Sequence, residues 1–155
     1  MEDLTSRVSA LEENMRRHRH FGYDQTTEIK SVKQFAFDVN YTQFSTAGLT
    51  QNVTIQNIPA FVEVLSAFMY VDIAFAGTAT LTLSVGPSAT PTTLLTAQDA
   101  KTAGFKNVIG TDLTTNRGVY SATANTAIVV RATSTVNNLS LLTAGHAKVY
   151  LTYYG

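Results

Sequence analysis

Val62-Glu63-Val64-Leu65-Ser66-Ala67-Phe68-Met69-Tyr70-Val71-Asp72-Ile73-Ala74-Phe75 is the longest apolar run of the chain. The charges Glu63 and Asp72 interrupt it. A membrane-spanning helix needs about 18 or more apolar residues in a row, and this run is shorter. Its β-branched and aromatic side chains fit the pleated, half-buried surface of a strand. On a strand, Tyr70 and Asp72 fall on the face opposite Val71 and Ile73. Gly77 ends the run, and residues 78–85 alternate again through Leu81, Leu83 and Val85. The two segments predict a hairpin, and Gly86-Pro87 starts the loop that follows it.

The same alternation extends in both directions. Val32, Phe35, Phe37, Val39 and Tyr41 alternate with Gln34, Asp38, Asn40 and Thr42 after one irregular step. A turn at Gly48 leads to a second strand through Val53, Ile55 and Ile58, which Pro59 ends. Residues 93–102, between Pro91 and Gly104, predict a short helix or a turn. Short strands follow near 105–109, 118–123 and 127–133. Asn137-Asn138 marks a turn, and 147–153 is the closing strand. About eight strands with regular turn signals predict a mainly β chain, an antiparallel β-sandwich of jelly-roll type over residues 32–155.

Composition agrees. The chain of 155 residues carries 24 threonines, 14% charged residues and no net charge. A surface so poor in charge does not steer toward nucleic acid or an anionic membrane. Without cysteine there is no disulfide framework, thiolate metal site or cysteine nucleophile. The charged N-terminus is not a secretory signal, so synthesis in a cytoplasm is expected.

Residues 1–18 differ from the rest. Met1, Leu4, Val8, Leu11 and Met15 recur at alternating steps of three and four, the seam of a coiled coil. Acidic residues lead and basic residues close the segment, as the helix dipole favours. The narrow stripe argues against a helix folded back on its own domain, which would need a wider apolar face. A helix this short is marginal alone, so its assembly depends on a larger domain. The seam residues by themselves lean toward a dimer.

Residues 19–31 form a junction. His18 and His20 lie one residue apart, just before Gly22. In an extended chain both point to one side, and six imidazoles around a three-fold axis would suit an octahedral transition metal. Two other readings stand beside it: histidines lining the axis without metal, and an exposed linker. Beyond such a metal at His18 and His20, no cofactor is expected.

His18, His20, Gly22 and Asp24, following a heptad from Leu4 to Met15 and preceding a threonine-rich β region, resemble virion proteins of tailed bacteriophages. In these, a His-x-His-x-Gly-x-Asp stretch follows a short coiled coil and precedes a β head. Gln25 and Thr26 stand where a Ser-Pro pair often occurs in the group. Leu142-Thr143-Ala144-Gly145-His146 and Val149-Tyr150-Leu151-Thr152-Tyr153 also resemble the closing strand of phage fibre and head-fibre domains. The resemblance covers about a third of the chain. It implies a homotrimeric virion surface protein, with Leu4, Val8, Leu11 and Met15 at the subunit seam.

No motif of catalysis is present: no His-Glu-x-x-His, no Gly-x-Ser-x-Gly and no phosphate-binding glycine loop. Asp72 is the acid of most interest. A glycosidase needs a second carboxylate about 5–10 Å away, and a solvated or hydrogen-bonded Asp72 is the plainer reading. The expectation is therefore no enzyme. Phe68, Tyr70, Phe75, Tyr120, Tyr150, Tyr153 and Tyr154 serve either the core or contacts between subunits. Recognition loops are sought near residues 45–51, 86–93 and 111–117. The expected function is a structural phage fibre or spike on head or tail, attached by its N-terminus, its head turned outward to a host-surface glycan. The alternative is a capsid decoration protein stabilising the shell; a glycan-degrading domain ranks last. Expected partners are the chain itself and capsid or tail subunits, with no nucleic acid and no membrane insertion.

Overall fold

In a computed structural model of the chain, residues 31–108, 110 and 120–155 are described, all within a compact unit from Ser31 to Gly155. The seam residues Leu4, Val8, Leu11 and Met15, the pair His18 and His20, and residues 111–117 lie outside the described residues.

Nine strands occur among the described residues: β1 (Val32–Asn40), β2 (Thr50–Ile58), β3 (Glu63–Ala76), β4 (Thr82–Pro87), β5 (Leu95–Asp99), β6 (Gly104–Lys106), β7 (Tyr120–Ser121), β8 (Thr126–Thr133) and β9 (Ala144–Tyr154). Sheet A has the order β1-β9-β3-β6, with β7 also on β3, and sheet B the order β2-β8-β4-β5. Every pairing is antiparallel. This is a β-sandwich with the strand order of a jelly roll.

Alternation explains most of the strands. In β9, Ala147, Val149 and Leu151 turn inward, and His146, Lys148, Tyr150 and Thr152 turn outward. In β3, Ala67, Met69 and Val71 meet them in the core. From sheet B, Leu83, Val85, Ile128 and Val130 close the core from the other side. Burying each of the valine, leucine, isoleucine and methionine side chains among them contributes roughly 1.5–3 kcal/mol.

Four expectations need correction. The segments at 62–75 and 78–85 are strands, but they do not form a hairpin: β3 belongs to sheet A and β4 to sheet B. Gly77, with φ +100°, turns the chain from one sheet to the other, and a Cβ there would stand 1.9 Å from the Leu141 carbonyl oxygen. Residues 95–99 are a strand and not a helix, because β4 offers them a partner edge from Thr82 to Val85. The polar Gln98 is buried within that strand, its amide donating to the Thr96 carbonyl at 3.0 Å and to the Thr96 hydroxyl at 2.9 Å. β1 stops at Asn40, where a capping box with Gln43 starts the 3-10 turn Tyr41–Gln43. Finally, Ile73 does not share a face with Val71. The β3–β9 register shifts between them, so Asp72 is the extra residue of a bulge and Ile73 is 55% exposed.

Gly145, with φ +139°, sits beside this bulge in β9. A Cβ there would lie 2.2 Å from the ring of the buried Phe75. Gly145→Ala is expected to destabilise the fold by about 2 kcal/mol or more, combining backbone strain with displacement of a core ring. Urea unfolding followed by far-UV circular dichroism checks this.

Candidate functional site

The outward face of sheet A gathers the polar chemistry of the head. Asp38 on β1, His146 and Lys148 on β9, and Asp72 at the β3 bulge converge across three strands. The His146 ring lies with Nδ1 2.6 Å from Asp72 Oδ1 and Nε2 3.2 Å from Asp38 Oδ1. Lys148 Nζ lies 3.6 Å from the same Asp38 oxygen. With a carboxylate at each ring nitrogen, only the doubly protonated imidazolium donates to both. The His146 side chain is 19% exposed and that of Asp72 43%.

Sequence order explains this convergence only through the sheet. Register puts Asp38 opposite Lys148 and Asn40 opposite His146. On the other side His146 is opposite Ile73, and the bulge swings Asp72 to the same face. Partial burial raises the Asp72 carboxyl pKa and is the largest single influence. The His146 hydrogen bond, the backbone N–H groups of Asp72 and Ile73 and the nearby imidazole charge together outweigh it, and hold that pKa below the usual aspartate value. Asp99 is lowered too, chiefly by the Thr102 hydroxyl at 2.6 Å, in the turn that leads into β6.

Beside the charged cluster runs an aromatic row. Phe68 and Tyr150 stack with centroids 4.7 Å apart and 13° between planes. Phe105 tilts against Phe68 at 5.3 Å. Tyr70 is 48% exposed and Phe105 56%. Of the aromatic residues singled out in the sequence, Phe75 fills the core, while Tyr153 stacks on Phe35 toward the interior at 5.0 Å. Phe68, Tyr70 and Tyr150 instead lie on the outer face. Residues 45–49 pack on the segment 134–140, whereas Ser88 pairs with Ala127 at the opposite end, so the loops at 45–51 and 86–93 do not share an end of the sandwich.

Asp72 was legible as an outward acid. Its two partners were not, because Asp38 and His146 are joined to it only by the order β1-β9-β3. The alternation of residues 146–152 carried the signal that His146, Lys148, Tyr150 and Thr152 share one face. Among the described residues, no group of three His, Asp or Glu is placed to hold a metal ion.

Asp72→Asn is expected to lower stability at neutral pH by at most about 1 kcal/mol, because the pair is partly exposed and screened by salt. Asp72 has a lowered pKa in the fold. Its stabilisation is therefore complete above the unfolded aspartate value of about 3.9 and fades as pH falls through the lower folded value. Urea midpoints of parent and variant should thus differ at pH 7 and converge in strong acid.

No family model matches the chain, and no curated protein matches it. Among the solved structures similar to this chain are two from phage capsids. One is a chain of the capsid asymmetric unit of cyanophage Pam1, at 25% identity and TM-score 0.53, covering 81% of this chain and 85% of that one. The other belongs to the acid-stable capsid of Helicobacter pylori bacteriophage KHP30, at 15% identity and TM-score 0.51, covering 81% and 93%.

Proposed function

We propose that this chain is a structural protein of a bacteriophage virion, seated on the capsid surface as a homotrimer and acting without catalysis. The observation that supports this is the similarity to a chain of the Pam1 capsid asymmetric unit. It extends over 85% of that chain, so the counterpart is a small protein built around the same sandwich. An asymmetric unit repeats over the whole shell, which favours the decoration reading over a fibre present in few copies. The residues His18, His20, Gly22 and Asp24 after the heptad add the resemblance to virion proteins already described.

In this proposal the heptad residues Leu4, Val8, Leu11 and Met15 hold three copies together, and the N-terminal segment attaches the trimer to the particle. Three-fold assembly makes sense of a seam too short to hold alone. The Asp38–His146–Asp72 cluster, which in isolation suggests acid–base chemistry, is read as a tie between β1 and β3 across β9. Both carboxylates are already engaged by the His146 ring.

Electron microscopy of particles is expected to show the head repeated across the shell surface. Density confined to the tail would overturn the decoration reading in favour of a fibre. The purified chain should have a solution mass near three times its 16.8 kDa, and a monomer at micromolar concentration would refute the trimer. Deleting residues 1–18 should release the protein from the particle while the head keeps its β circular dichroism.

A further inference from the structure

We propose that the free edge of β1 pairs with the β1 of a second copy of this chain, the two strands running antiparallel about a two-fold axis at Ala36. The inference goes beyond the structural role proposed above and does not rest on it, since the edge belongs to residues 32–40 and the heptad to residues 1–18. A two-fold contact does not close within a three-fold assembly, so it joins heads of separate assemblies.

The register shows which backbone groups are free. β1 is the outermost strand of sheet A. Ser31 and Gly155 exchange both backbone hydrogen bonds, each at 3.3 Å. Such doubly bonded pairs recur at every second residue of an antiparallel ladder. Lys33, Phe35, Phe37 and Val39 therefore bond to β9, and the N–H and C=O groups of Val32, Gln34, Ala36 and Asp38 point away from it. Among the described residues, none bonds to these outward groups. Asn40, next in the series, has its N–H capped by the Gln43 side chain at 2.8 Å. β1 pairs with β9 from Val32 to Asn40 without a register shift, so its edge is unbroken. The other edges are blunted. β2 carries a register shift near Ile55. Thr96 of β5 donates its N–H to the Val108 carbonyl at 3.0 Å, β6 has three residues and β7 has two. A long regular edge without proline or bulge is the kind that takes up another strand.

The residues of the edge say what covers it. Phe35-Ala36-Phe37, flanked by Gln34 and Asp38, is nearly symmetric about Ala36. Antiparallel pairing about that residue sets Ala36 opposite its own copy, Gln34 opposite the second copy's Asp38, and Phe35 opposite the second copy's Phe37. Gln34, Ala36 and Asp38 of the two strands then exchange about six backbone hydrogen bonds. On the outer face each Gln34 amide donates to the facing Asp38 carboxylate, and no like charges stand opposite each other. Asp38 keeps Lys148 at 3.6 Å. On the inner face Phe35 and Phe37 are only half-buried in one head, their centroids 6.0 Å apart. Each meets a phenyl ring of the second copy at a non-hydrogen-bonded pair, where side chains come closest. Pairing thus buries apolar surface that a single head leaves to solvent. Shifted by two residues, Asp38 would face Val32 and Lys33 would face Phe37, so the register about Ala36 is the complementary one. Ala36 is exposed, and its methyl group leaves room for the two outer faces to meet at the axis.

The chain has no cysteine, so single introduced thiols report the register. Ala36→Cys, Gln34→Cys and Asp38→Cys are each made in the full chain. They are oxidised at a concentration on the order of 100 µM, because an edge contact of this size is weak. Ala36→Cys should form a disulfide-linked pair of twice 16.8 kDa, since its two Cα atoms would stand about 5.5 Å apart. Gln34→Cys should not link to itself, its two copies lying about 14 Å apart along the strands, but it should link when mixed with Asp38→Cys. Light scattering gives a second readout. At the same concentration the parent should have at least about twice the mass of Ala36→Lys, which sets two like charges against each other at the axis. The heptad is the same in both, so the difference reads the edge alone. Ala36→Pro removes an N–H that β9 does not use, and it should lose the pairing in the same way. Equal masses for the parent and both of these variants, or linking of Ala36→Cys no faster than that of Gln34→Cys, overturns the proposal.

Discussion

The long antiparallel ladder between β3 and β9 is the constraint on which the rest of the head depends. It runs from Glu63 opposite Tyr154 to Ala76 opposite Ala144. Two segments about 80 residues apart in the chain thereby become neighbours along their whole length. Their inward residues, Met69 and Val71 with Ala147 and Val149, form one wall of the core. Their outward residues, Phe68 with Tyr150 and Asp72 with His146, form the aromatic row and the charged cluster. Closing a loop of this length costs conformational entropy, and the apolar burial on the inner face of the ladder is what offsets it.

The bulge at Asp72 shows how one irregularity shapes the surface. A regular ladder would turn Asp72 outward and Ile73 inward, beside Val71. The extra residue instead turns both outward, bringing the Asp72 carboxylate to the His146 ring and leaving Ile73 at the surface. Gly145 permits the close approach of β9 to Phe75 at the same level. The head thus carries a histidine engaged by two acids on a surface otherwise poor in charge. Such a cluster is screened by solvent, so it fixes the geometry of the face more than it stabilises the fold.

The two faces of the sandwich differ in what they offer a partner. The outer side of sheet B at β4 is approached by backbone: a Cβ on Gly86 would meet the Thr90 carbonyl oxygen at 2.5 Å. Sheet A presents an aromatic row and paired charges. A sandwich without cysteine is a scaffold that does not depend on redox state.

Much of the fold was legible in particular residues. Alternation at 32–39, 53–58, 127–133 and 147–153 identified β1, β2, β8 and β9, because the period of two is a local property of an extended backbone. The same reasoning set Tyr70 and Asp72 outward and Val71 inward. It did not identify β5, where Leu94 and Leu95 break the alternation and Gln98 is buried, because that strand exists by pairing with β4. Nor did it separate β3 from β4, since alternation gives a strand its two faces and says nothing of its partner. By itself the sequence determined a cysteine-free, charge-poor β domain preceded by a heptad. Only the tertiary structure decided that Asp38, Asp72 and His146 meet and that Ala36 stands opposite Tyr150. Strand partnership is fixed by which faces are buried together, and that is decided across the whole chain at once.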